Sequence, residues 1–408
     1  MKRKPANPLV PTRRPLLPPQ GRSRAAHVLT AAAAEGRFAL PCCEACGAFT
    51  WPARDACPTC LGRLQMQDAP DGATILATTQ AEVPADAYFR ERAPWRTGLV
   101  QMEAGPQAIV HLGMGLAPGD AARLTLMLDR AGQAVLYART PEGDMAEDAQ
   151  WQEMVADPRG RRILITDARH IAALPLARAL TQAGAAAVWL GVPEPWKPFP
   201  GSEAFAQMPG VSLVPLDVVS DRSVSDLASQ IAGKVEIMIN TADLPRPGGL
   251  SAPTAPVDAR AMMEVVAFGQ MRLARHFGPA MAARGADGPK GAVAWVNLLS
   301  VFARAHPPAL AGYGAAHAAA LALSHGVRAD LAQSGVRLKN VFAGPSDDLW
   351  FQSFGPPRVT GKAMADGIVK GLMRGQEEVV VGDVARDLMA RLQDNPTAVA
   401  RELAQGGL

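Results

Sequence analysis

RRILITDARHIAALPLARALTQAGA, residues 161–185, decides the fold of the larger part of the chain. Its first eight residues read as an apolar strand, the last thirteen as a helix, and a polar turn joins them. Pro175 falls in the first turn of that helix, where the missing N–H costs nothing. Downstream the alternation repeats. AAVWLGV (186–192) and VSLVPLDV (211–218) are strands, SVSDLASQIAG (223–233) a helix, and VEIMINTA (235–242) a strand. A long helix through 263–285 precedes the strand GAVAWVNLLS (291–300). The helix YGAAHAAALALSHGVRADLAQSG (313–335) and the strand RLKNVFAG (337–344) close the series. Strands alternating with helices in this order predict an α/β domain over 161–395, with a parallel, doubly wound sheet. A C-terminal tail is expected over 396–408.

Upstream of Arg161 the pattern is different. TILATTQAEV, TGLVQMEAGPQAIVHLG and ARLTLMLDRAGQAVLYAR are β-rich runs separated by Gly and Pro, which fits a small β-barrel over 73–140. The polar stretch 141–160 reads as a linker, and residues 25–36 as a short helix stopped by Gly36. No internal repeat is evident.

With 408 residues, 48% of them hydrophobic and 19% charged, the chain has the profile of several globular domains. Its net charge of +3 is local. Residues 1–24 carry Lys2, Arg3, Lys4, Arg13, Arg14, Arg22 and Arg24, and the first acidic residue is Glu35. This Pro-rich segment reads as a disordered, solvated tail, with a transit peptide or docking arm as alternatives. The remainder shows no basic face, which argues against nucleic acid as a partner. No run of 18 apolar residues exists, so no membrane span is expected.

All 5 cysteines lie between positions 42 and 60. A disulfide framework is not distributed in this way; one local metal site in a reducing, cytoplasmic compartment is. Cys43-x2-Cys46 and Cys57-x2-Cys60 form two knuckles, each offering two thiolates, and together they complete a tetrahedral shell for structural zinc. Cys42 is left as a bystander. The run EGRFALPCCEACGAFTWPARDACPTC, with Pro52 and Arg54 before the second knuckle and a β-rich stretch after it, resembles the zinc-ribbon plus OB-fold family (domain of unknown function 35). The resemblance covers residues 22–140, with the helix and ribbon at 25–72. It implies an OB-type barrel and an acyl-CoA-binding accessory role beside a thiolase-like enzyme, an acyltransferase or an aldolase of steroid side-chain degradation.

Residues 161–390 resemble the short-chain dehydrogenase/reductase family, which implies a Rossmann-like sheet and an NAD(P) site. The family's phosphate turn, T-G-x-x-x-G-x-G, here reads TDARHIAA (166–173), with Asp167, Ile171 and Ala173 in place of the glycines. A carboxylate in that turn and a branched side chain at the point of close approach both oppose dinucleotide binding. Asp217 matches the family's adenine-contacting aspartate, and Asn240 survives in NTAD, where the family has N-N-A-G. Ser300 precedes Tyr313 by 13 residues, the family interval, but the lysine four residues on is His317 and the catalytic asparagine falls at Val266. Catalytic roles thus fall on Ser300, Tyr313 and His317, with the last a weaker substitute for a fixed cation. Taken together, these readings predict a non-redox accessory subunit with the dehydrogenase-like half as scaffold. The alternative is an NAD(P)H-dependent 3-oxoacyl-CoA reductase of the short-chain dehydrogenase type. The helices near 258–285 and 313–335 match the dimerising helices of the dehydrogenase family, implying a homo-oligomer.

Overall fold

Residues 15–21, 23–143, 145–285, 291–352, 354–355 and 357–406 are described by a computed structural model. Residues 1–14 and 22 of the expected tail lie outside the described residues. Of its remainder, residues 19–21, 23 and 24 are exposed, but Pro18 is buried and Leu16 packs against the cluster built around Tyr88 and Trp95. Leu17 comes within 3.1 Å of where a Cβ on Gly335 would stand. Apolar side chains at 16–18 thus cover a seam between domains, which overrides the Pro-rich composition.

A short helix, Thr30–Glu35, ends at Gly36 with φ 69°. Strands β1 (Ala39–Cys43) and β2 (Leu64–Asp68) pair antiparallel and carry the cysteine loops. Five strands follow: β3 (Gly72–Ala81), β4 (Trp95–Met102), β5 (Gln107–Leu112), β6 (Ala121–Leu128) and β7 (Ala134–Arg139). They close in the order β3-β4-β5-β7-β6, with β5 and β7 parallel, the OB arrangement. Alternation drives the closure: Ala108, Val110 and Leu112 of β5 and Ala122, Leu124 and Leu126 of β6 all point inward. Leu29, Ala33 and Leu40 join the same core, so helix, ribbon and barrel form one packed unit.

The remaining strands are β8 (Arg162–Ile165), β9 (Ala187–Val192), β10 (Val211–Pro215), β11 (Ile237–Asn240), β12 (Ala294–Ser300), β13 (Arg337–Ala343) and β14 (Glu378–Val381). They form one parallel sheet in the order β10-β9-β8-β11-β12-β13-β14. The order reverses between β8 and β11, which is where such sheets open a ligand crevice at their C-terminal ends. Apolar cores lie on both faces. Every residue of β12 and β13 is buried, as expected of central strands covered on two sides.

Two segments depart from the expected boundaries. The stretch 141–160 is not a free linker. It contains the short helix Ala149–Gln152 and buries Trp151, Met154, Val155 and Ala156. Glu153 sits among Arg92 (2.9 Å), Arg130 (3.4 Å) and the Tyr88 hydroxyl (3.2 Å) of the barrel half. Burial works to raise its carboxyl, but the two guanidinium groups outweigh burial and bring it below its ordinary value. From the other side, Arg337 of β13 donates to the carbonyls of Met154, Val155 (2.7 Å) and Glu153 (3.4 Å). Polar composition hides these contacts because the segment's charges are used inward. The described part of the expected C-terminal tail, 396–406, likewise is not loose, and residues 407–408 lie outside the described residues. Pro396–Ala404 is a helix capped by Asn395, with Val399 and Leu403 buried.

The same seam ties the helix before the ribbon to β14. Glu377 N–H donates to the Ala34 carbonyl at 2.7 Å and Gln376 Nε2 to that of Glu35 at 2.6 Å, satisfying helix-end acceptors. Lys339, 1% exposed, donates to the Gln376 carbonyl. Burial, reinforced by the charge of Arg337, holds its ammonium down to about 7.

Candidate functional site: a four-cysteine cluster and an occupied dehydrogenase-type cleft

The sulfur atoms of Cys43, Cys46, Cys57 and Cys60 all lie within 4.8 Å of one another. Cys43–Cys60 and Cys46–Cys57 are 3.4 and 3.7 Å apart. A tetrahedral shell with zinc–sulfur bonds near 2.3 Å demands sulfur separations of about 3.8 Å, so the cluster fits zinc. Both knuckles are built by turns that direct backbone N–H groups at sulfur. The N–H groups of Cys60 and Thr59 hold the Cys57 thiol down to about 6, and that of Cys46 lowers Cys43. Gly47, at φ 71°, makes the first turn. A Cβ on Gly62 would stand 2.9 Å from the Cys43 sulfur and 3.2 Å from that of Cys60, so the second knuckle requires glycine there. Cys42 sits apart, its sulfur 3.4 Å from the Gly47 carbonyl. With four thiolates around the metal, no position is left for water, which makes the cluster structural.

At the C-terminal end of the sheet, β12 delivers Ser300 and the helix Ala311–Ala332 delivers Tyr313 and His317 on one face, four residues apart. These three expected residues meet, but around a fourth that sequence reading missed. Asp243, just beyond β11, accepts a hydrogen bond from the Tyr313 hydroxyl at 2.9 Å and lies 3.2 Å from His317 Nε2. The other ring nitrogen, Nδ1, accepts from the Ser300 N–H at 3.1 Å. A nitrogen that accepts carries no proton, so the ring donates from Nε2 to Asp243 and is held as the neutral tautomer. Ser300 Oγ accepts from Phe302 N–H at 3.2 Å and caps a short turn.

The electrostatics of the cluster centre on Asp243. Burial, then the field of Asp243 and the bond to it, push the Tyr313 phenol well above its ordinary value. Burial also works to raise the Asp243 carboxyl, but the hydrogen bond from His317, with that from Tyr313, brings it below its usual range. The pair is therefore a phenol holding its proton against a carboxylate. The other two tyrosines, Tyr88 and Tyr137, are raised as well, chiefly by burial. Replacing Asp243 with asparagine is expected to move a single phenol titration to lower pH while the other two stay. Near-UV absorbance across an alkaline titration reads this directly. An unchanged titration would mean that the Asp243 contact does not govern Tyr313.

The phosphate turn is occupied by the chain's own groups. Asp167 Oδ1 accepts from Arg169 N–H at 2.9 Å, with Arg169 Nε 3.3 Å from the same oxygen. His170 Nδ1 accepts the Ala172 N–H at 3.1 Å, at the entrance to the helix Ala173–Gln182. A Cβ on Gly361 would stand 2.2 Å from the Ile171 carbonyl, so another helix closes on the turn. Asn240 and Asp217 serve their neighbours. Asn240 Oδ1 accepts from Thr166 Oγ1 at 2.9 Å, tying β11 to β8. Asp217 Oδ1 accepts from Val219 N–H at 3.0 Å, while the helix after it is capped by Ser220. Val266 is buried in a π-helical turn, Met263–Phe268, within the apolar cluster that includes Tyr313.

Comparison with known proteins agrees with this division. Residues 162–349 match the short chain dehydrogenase family, and residues 30–67 match the rubredoxin-like zinc ribbon domain of ChsH2. A short chain dehydrogenase from Burkholderia cenocepacia, solved in complex with NADP, is 31% identical, with TM-score 0.54, covering 60% of this chain and 98% of that one. Short-chain dehydrogenases PC-15 of Penicillium crustosum and ptmH of Penicillium ochrochloron are each 30% identical over 151 residues, 35% of this chain. The chain spans about half the length of these curated relatives, 51% in each case. Among the described residues, no helix is long and apolar enough to cross a membrane.

Proposed function

We propose, on the premise that the chain belongs to the short-chain dehydrogenase family and carries a ChsH2-type rubredoxin-like zinc ribbon, that it is a non-redox accessory subunit. In this reading the ribbon and barrel bind an acyl-CoA and dock on a thiolase-like enzyme in the cytoplasm. The dehydrogenase-like half is a scaffold, a pseudoenzyme, and the partner performs the carbon–carbon chemistry. One observation carries the non-redox part: Asp243 takes the hydrogen bonds of both Tyr313 and His317. A reductase needs the tyrosine proton free for a carbonyl and a cation beside it to ease the transfer. Here the proton faces a carboxylate and the neighbour is a neutral imidazole. The filled turn at Asp167 and His170 supports the same conclusion.

The acyl-CoA and the thiolase-like partner follow from what the ribbon–barrel resemblance implies. A homo-oligomer is supported by Val257, Phe268 and Met271, apolar and 42–68% exposed along the helical run 255–284. Reduction of a 3-oxoacyl-CoA is the second reading. It is favoured by the preserved Ser300–Tyr313 spacing and by the NADP bound to the Burkholderia relative. Coexpression with a thiolase-like protein of the same genome, followed by size-exclusion chromatography, tests the accessory role. Joint elution that is lost in Cys57→Ser is expected. Separate elution from every such protein, together with failure to bind any acyl-CoA, would remove it.

A further inference from the structure

A cleft of about 1030 Å³ lies between the two halves of the chain. Leu124 and Leu126 of β6 and Arg139 of β7 line it from the barrel side. Ala179 and Gln182 and the helix Gly361–Met373 line it from the other, and Trp151 of the joining segment contributes. It uses the last turns of the helix Ala173–Gln182, the end away from the Asp167–His170 turn, so it is separate from the dehydrogenase-type cleft. A second cleft, of about 920 Å³, runs beside β14 and shares Arg37, Asp366, Lys370, Arg374 and Gln376 with the first. The two form one elongated groove with a polar waist.

The charges of the first cleft are unevenly satisfied. Its four carboxylates all have donors: Asp68 from Arg37, Asp71 from Arg123, Asp366 from Lys362, and Asp157 from Gln152 and the Arg159 N–H. Among the described residues, Arg139 reaches only the Thr140 carbonyl, at 3.4 Å. No carboxylate among the described residues pairs with Arg139, Lys370 or Arg374. Three cations without a carboxylate partner among the described residues line this cleft, Lys370 and Arg374 at the waist and Arg139 on the barrel side. They attract a multiply charged anion, and the apolar side chains of Phe38, Met145 and Met373 suit an uncharged arm.

We propose that this groove binds an organic polyphosphate bearing an apolar arm, its phosphates at Arg139, Lys370 and Arg374 and its arm toward Phe38, Met145 and Met373. The inference rests on the acyl-CoA reading above and gives it a place, since an acyl-CoA has this chemistry. A free nucleotide shares the phosphates without the arm. Titration calorimetry of the full-length protein with octanoyl-CoA, free CoA and ATP tests it, beside the triple variant R139Q/K370Q/R374Q. These side chains are partly or fully exposed, so the variant is expected to fold.

The wild type should bind octanoyl-CoA with an affinity that falls with salt, and the variant about thirtyfold more weakly with a flatter salt dependence. Octanoyl-CoA binding tighter than ATP assigns the groove to acyl thioesters. Equal affinities, both lost in the variant, assign it to free nucleotides and still uphold the polyphosphate site. Binding of octanoyl-CoA equally by wild type and variant overturns the groove while leaving the acyl-CoA reading intact. Absence of binding of every probe to the wild type overturns both.

Discussion

Removing the metal held by Cys43, Cys46, Cys57 and Cys60, or replacing Cys57 with serine, is expected to unfold the ribbon and loosen the barrel. Four thiolates brought within 4.8 Å have no other reason to stay together, since their mutual repulsion opposes the fold once they ionise. Zinc binding to such sites is worth about 10–16 kcal/mol in small peptides, comparable to a typical domain's whole stability. The damage should spread because Leu40 shares a core with Ile75 and Val100 of the barrel. The dehydrogenase-like sheet has its own cores and should persist. Metal analysis should give about one zinc per chain. Hydrogen exchange after chelation should rise over residues 39–68 and in the barrel, but little in β11–β13. Protein that contains no zinc, or that keeps ribbon protection without it, would contradict the assignment.

The second large effect is expected at Arg337. Its guanidinium is 4% exposed and donates to three successive carbonyls of the joining segment. Arg337→Leu would strand those acceptors in a seam where water cannot replace the donor. Leaving a buried acceptor without its donor costs about 1–3 kcal/mol. Because the segment 141–160 is held by this residue on one side and by Glu153 on the other, the loss should appear as local release. Proteolytic cleavage within 141–160 should accelerate, and the thermal midpoint should fall. Protection equal to the wild type would show that the segment is held by its apolar side chains, Trp151 and Met154, without the guanidinium.

Periodicity and turn chemistry made most of the sheet legible: the alternation after Arg161 marked β8–β13 in order but missed the short edge strand β14, and the cysteine spacing marked the ribbon. What stayed hidden shares one cause. Sequence reading asks what a position has lost relative to a pattern, whereas the structure shows what the replacement does. NTAD reads as a missing glycine, yet the new carboxylate of Asp243 organises the cleft. His170 reads as a stray histidine in an altered turn, yet it accepts the helix N–H at 3.1 Å. A carboxylate gained beside a surviving tyrosine was the available signal. The joining segment and the last helix were hidden for a different reason: their apolar residues are few and pack against distant parts of the chain, which no local window contains.

On the proposed reading, the dehydrogenase-like cleft serves no nicotinamide cofactor, and the hydrogen bonds of Asp167, His170 and Asp243 to the chain's own groups support it. Titration of the purified full-length protein with NADPH and NADH, followed by nicotinamide fluorescence, tests it most directly. The expected result is no saturable binding at micromolar concentrations of either cofactor. Saturable micromolar binding, accompanied by oxidation of the cofactor when a 3-oxoacyl-CoA is added, would contradict the account and establish the reductase.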